Sequence, residues 1–116
     1  MPDDASNREP VLLVCAPDGG REYVRIIQTP FLIGRGAETG NHLQIPDRQI
    51  GRNGAAVVKE GGQFYIESRS PRRGCLFVNG RKTENCLLNE GDVITFGFAD
   101  GYRVYFLRHK GHSQMA

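Results

Sequence analysis

Excess charge of either sign is missing from this 116-residue sequence: fifteen Lys and Arg stand against thirteen Asp and Glu, a formal net charge of +2. So small a surplus builds no field that would draw the molecule to nucleic acid or to a membrane surface, and any electrostatic function has to be local. Cysteine is scarce and odd in number; Cys15, Cys75 and Cys86 form neither a disulfide framework nor a pair with metal-ligand spacing. That fits a reduced, cytoplasmic setting. Long apolar runs are also lacking. The longest, such as Val11-Leu12-Leu13-Val14-Cys15, are far too short to cross a bilayer, and the acidic, polar start from Met1 to Pro10 does not read as a signal peptide. No stretch sustains helical periodicity over three turns.

Present instead are short segments rich in Val, Ile, Phe and Tyr, recurring about every ten residues between glycine-containing turns, an all-β pattern. The length allows one domain with one core. Its expected limits are residues 10–108, with residues 1–9 as a disordered tail and 109–116 as a second loose end. Residues 11–15 read as a strand, Pro17-Asp18-Gly19-Gly20 as a turn, and Glu22 to Gln28 as the returning strand. Phe31-Leu32-Ile33 and the brief Leu43-Gln44-Ile45, stopped by Pro46, follow. Gly61-Gly62 separates Ala55–Glu60 from Gln63–Glu67 at the spacing of a tight hairpin, and Asn79-Gly80 separates Leu76-Phe77-Val78 from Arg81-Lys82-Thr83. Val93 to Phe96 and Tyr102 to Leu107 complete a pattern of about eleven short strands, which suits a two-sheet β-sandwich. The expected core is Phe31, Ile33, Leu43, Ile45, Val57, Phe64, Ile66, Phe77, Ile94, Phe96 and Tyr105. Recognition in such a fold belongs to loops at the sheet ends, here 34–41, 46–53 and the basic 68–74.

Four fragments, in order along the chain, carry a resemblance. They are Gly34-Arg35 after a strand; Asn41-His42-Leu43-Gln44-Ile45-Pro46-Asp47; Phe77-Val78-Asn79-Gly80; and the closing Leu88, Gly91-Asp92, Ile94 and Phe96-Gly97. Together they resemble the forkhead-associated (FHA) domain family, from about residue 11 to residue 107. The resemblance implies a non-catalytic β-sandwich that binds phosphothreonine peptides through the Arg of Gly-Arg, a Ser-Arg-x-His segment and an Asn-Gly step. Here the second of these aligns with Gly51-Arg52-Asn53-Gly54, so the serine and histidine are both glycine, and the Asn-Gly step aligns with Arg73-Gly74. The family histidine buttresses its loop, so Gly54 is expected to leave that loop freer.

A phosphothreonine carries about −1.5 to −2 charges near neutral pH and needs several converging donors. Arg35 offers the bidentate guanidinium geometry. Gly51 keeps a backbone N–H, and Arg52, Arg72 and Arg73 could add charge-assisted bonds in place of the missing hydroxyl; Arg69, Arg72 and Arg73 read equally well as a solvated loop. The expected phosphopeptide residues are therefore Arg35, Gly51, Arg52, Arg72 and Arg73. His42, His109 and His112 lack a ligand set, so no metal or other cofactor is expected. No acid/base pair or activated nucleophile suggests an enzyme, and neither nucleic acid nor membrane is an expected partner. Two readings remain: a module that binds a phosphorylated protein or peptide, as one domain of a larger multidomain signalling protein, or a degenerate FHA domain serving constitutive, phosphorylation-independent interaction or oligomerisation.

Overall fold

The computed structural model describes residues 8–36, 40–69, 75–97 and 101–110. Their strands are β1 (Arg8–Cys15), β2 (Arg21–Arg25), β3 (Phe31–Gly34), β4 (Leu43–Gln44), β5 (Ala55–Glu60), β6 (Gln63–Ser68), β7 (Leu76–Val78), β8 (Arg81–Lys82), β9 (Asn85–Leu87), β10 (Val93–Phe96) and β11 (Arg103–Lys110). They form a six-stranded sheet, β2-β1-β11-β10-β7-β8, and a five-stranded sheet, β4-β3-β5-β6-β9. Every pairing is antiparallel except β3 with β4. The all-β two-sheet sandwich expected from the sequence is the observed fold.

Turn chemistry sets the hairpins. Gly61 and Gly62 have φ of 59° and 82°, and Asn79 and Gly80 have 53° and 81°. Two successive positive-φ residues give the turn whose twist matches the flanking strands, and Gly and Asn reach that region at least cost. Asn79 is held there by its own side chain: Nδ2 donates to Asp92 Oδ1 at 2.9 Å, and Oδ1 accepts from Val93 N at 2.9 Å. Asn79→Ala should therefore cost about 1–2 kcal/mol, read as a lower urea midpoint.

Between the sheets, Leu12, Val14, Leu76, Val78, Ile94, Phe96, Val104 and Phe106 meet Phe31, Ile33, Leu43, Ala55, Val57, Phe64 and Ile66. Phe64 packs tilted on Phe106, with ring centroids 5.7 Å apart, and the Arg108 guanidinium covers Phe64 at 5.1 Å. Nine of the eleven expected core residues are buried. The exceptions are Phe77 and Tyr105, which are only half-buried. Side chains alternate across a strand, and their neighbours Leu76, Val78, Val104 and Phe106 hold the inner positions, so both lie on the outer face of the six-stranded sheet.

Other limits also move. The returning strand of the first hairpin stops at Arg25, leaving Ile27 76% exposed. The β1–β11 ladder runs past the expected 10–108 limits, pairing Arg8 with Lys110 and Glu9 with His109. Main-chain pairing needs no apolar side chain, and Glu9 is tied down by Arg25 Nη2 at 2.6 Å.

Candidate functional site

The site begins at Gly34, where β3 ends against the segment following Ile50. A side chain at Gly34 would collide with the Arg52 carbonyl oxygen and lie 2.6 Å from Asn41 Nδ2. Only glycine allows this approach. The next residue, Arg35, donates its backbone N–H to Gly51 O at 3.0 Å. Its side chain is exposed and has no carboxylate partner among the described residues.

Asn41 joins the two arginine-bearing segments. It is 9% exposed, and its Nδ2 donates to Gly36 O at 2.7 Å and to Arg52 O at 2.6 Å. One amide group therefore fixes the backbone after Arg35 and the backbone of Arg52 together. Asn41→Ala would leave both carbonyls without that donor, at a cost of about 1–2 kcal/mol. Weakened backbone cross-peaks at Gly36 and Arg52, with the β-sheet signals unchanged, would mark the loss as local.

Loop 46–53 is built from inside. Asp47 Oδ1 accepts from Gln49 N at 2.9 Å, Asp47 O accepts from Ile50 N at 3.0 Å, and Ile50, 1% exposed, anchors the loop in the core. Gly54, expected to leave this loop freer, is a packed position in the fold. Gly54 is buried, its N–H donates to Ile33 O at 2.9 Å, and its carbonyl accepts from Arg69 N at 3.0 Å. A Cβ there would meet Ile50 Cγ2 at 2.9 Å and Ile33 O at 3.2 Å, so Ile50 occupies the space beside the glycine.

Hydrogen bonds thus bring loops 34–41 and 46–53 together, and Arg69, at the start of the third loop, bonds to the same end through Gly54. The side chain of Arg69 is committed elsewhere, with Nε and Nη2 both 2.8 Å from Glu67 Oε2. Arg72 and Arg73 lie outside the described residues. Among the sequence-expected residues, Arg35, Gly51 and Arg52 are therefore the ones the fold places side by side. Arg35 and Arg52 are exposed and Gly51 is half-buried, an arrangement able to give charge-assisted hydrogen bonds to an anion. Sequence reasoning gave Asn41 no role and missed Ile50.

His42 is structural. Its Nδ1 accepts from Leu32 N at 2.9 Å, and its ring stacks on Phe31 with centroids 5.3 Å apart. Among the described residues no group of His, Cys, Asp and Glu could hold a metal ion. Nor is any helix there long and apolar enough to cross a membrane.

Comparison with known proteins places this geometry in context. The model of the FHA domain matches residues 31–97. A Mycobacterium tuberculosis protein, the ABC transporter ATP-binding/permease protein Rv1747, is 34% identical over 77 residues, which cover 62% of this chain and 9% of that protein. The chain thus spans about a tenth of that relative's length. Among solved structures, the Slr1951 protein from Synechocystis sp. superposes with a TM-score of 0.72 at 22% identity, covering 86% of this chain and 95% of that one. A chain from a study of phosphothreonine-dependent FHA domain interactions gives a TM-score of 0.70 at 19% identity, covering 85% and 97%. At such identities the structures testify to the fold.

Proposed function

Because this chain belongs to the FHA domain family, we propose that it is a non-catalytic module that recognises phosphothreonine in a partner protein through Arg35, Gly51 and Arg52. Arg72 and Arg73 supplement them from the third loop. The observation that carries the reading is the clamp at the loop end: Arg35 N bonds to Gly51 O, and Asn41 Nδ2 bonds to both Gly36 O and Arg52 O. Two guanidinium-bearing backbones are held in register before any ligand arrives, which lowers the ordering cost of binding.

The absent serine hydroxyl removes a hydrogen bond to a charged acceptor, worth about 1.5–3 kcal/mol. Affinity is accordingly modest, on the order of 10–100 µM, and falls with added salt because the contacts are exposed. The partner is a phosphorylated protein, and the module serves a larger multidomain signalling protein of the cytoplasm. A second reading, constitutive interaction without phosphate, draws its support from Gly51 and Gly54, which stand where the family has serine and histidine. A diverse library of matched threonine and phosphothreonine peptides separates the two. The first reading expects backbone shifts at Arg35, Gly51 and Arg52 with phosphorylated members alone; the second expects either no shifts there or shifts indifferent to phosphate.

A further inference from the structure

We propose that the outer face of the six-stranded sheet is a second docking surface, which takes an extended, unphosphorylated protein segment carrying apolar side chains beside carboxylates. An antiparallel sheet with one face in water ordinarily presents polar residues there. This one does not. The strand registers align Tyr23 with Leu13, Leu13 with Tyr105 and Tyr105 with Val93, an apolar row across four strands on the side opposite the core. Tyr23 is 62% exposed, while Leu13, Tyr105 and Val93 are half-buried.

The next row toward the turn at residues 16–20 is cationic. Cys15 has Arg21 and Arg103 as its two cross-strand partners, both exposed, and the row continues through Thr95 and Phe77 to Lys82. A groove of about 450 Å³ lies over both rows, lined by Leu13 and Tyr105 of the first, Cys15, Arg21 and Arg103 of the second, and Leu107. Aromatic residues with arginine at the margin have the make-up of a protein interface, and apolar rows of this kind mark contact sites.

Charge selects the occupant. On this face Glu9 is the one carboxylate among the described strand residues, and Arg25 already holds it at 2.6 Å. Arg21, Arg103 and Lys82 have no carboxylate across the strands from them. A second copy of the chain would set like charges against one another, whereas a segment bearing Asp or Glu beside Leu or Phe complements both rows.

The test uses the full chain labelled with nitrogen-15. It is titrated with a synthetic peptide alternating Leu or Phe with Asp or Glu, and with the same peptide carrying Lys at each acidic position. Expected are saturable shifts at Leu13, Cys15, Arg103 and Tyr105 with the acidic peptide, at least tenfold weaker with the lysine peptide. Arg21→Glu combined with Arg103→Glu, at exposed positions, should weaken the acidic peptide at least tenfold while the spectrum stays dispersed. If that pair unfolds the chain, Tyr23→Ser serves instead, with a smaller loss expected. No shifts on this face, equal binding of the two peptides, shifts confined to Arg35, Gly51 and Arg52, or self-association covering the same residues would each overturn the proposal.

Discussion

Gly34→Ala is expected to destabilise the fold by about 3 kcal/mol and to abolish anion binding at the loop end with it. The added methyl would run into the Arg52 carbonyl and lie 2.6 Å from Asn41 Nδ2. Neither neighbour can yield cheaply. The Arg52 carbonyl is held by Asn41 at 2.6 Å, and the Gly51 carbonyl beside it is held by Arg35 N at 3.0 Å. Moving residues 51–53 away therefore breaks the clamp, and keeping the clamp forces β3 to shift against a core in which Ile33 is wholly buried. Close-packed interiors resist such shifts. Urea unfolding should show a lower midpoint with an unchanged slope. An alanine variant as stable as the parent would mean that the two segments are not locked together as described.

Gly51→Ser should act in the opposite sense, tightening phosphothreonine-peptide binding about ten- to a hundredfold while leaving the unphosphorylated peptide unaffected. Gly51 is half-buried at the loop end, beside the exposed Arg52. Its carbonyl keeps the bond from Arg35 N. What the substitution adds is a hydroxyl that can donate to a charged oxygen. Calorimetric titration of a phosphorylated and an unphosphorylated peptide checks it. An unchanged phosphopeptide affinity would place the anion away from residue 51.

Much of the sandwich was readable in the sequence because its turns announce themselves. Gly61-Gly62 and Asn79-Gly80 lie where paired positive-φ residues are required, and the strands on either side follow from them. Which face of a strand points inward was less legible. Leu76-Phe77-Val78 and Val104-Tyr105-Phe106-Leu107 are apolar at every position, so alternation gives no phase, and only the register shows that Phe77 and Tyr105 point outward. Strand β9, Asn85–Leu87, is too short and too mixed to stand out.

At the site, Arg35 and Arg52 could be named from the order of motifs, but the device that joins them could not. Asn41 acts on a carbonyl eleven residues away, a partner that no local pattern specifies. Ile50 was hidden by its polar surroundings in the chain, and its burial is what makes Gly54 a packed position. What a sequence comparison shows as a glycine in place of a larger residue is, in the fold, a position closed by Ile50 and Ile33.

The central claim, that this loop end binds phosphate carried on threonine, is tested most directly by calorimetric titration of matched phosphothreonine and threonine peptides into the parent protein and Arg35→Ala at two salt concentrations. The account predicts binding of the phosphorylated peptides at about 10–100 µM, weakened by salt, with most of the phosphate preference lost in Arg35→Ala. Equal affinity for both members of every pair, or a phosphate preference that survives Arg35→Ala unchanged, would contradict it.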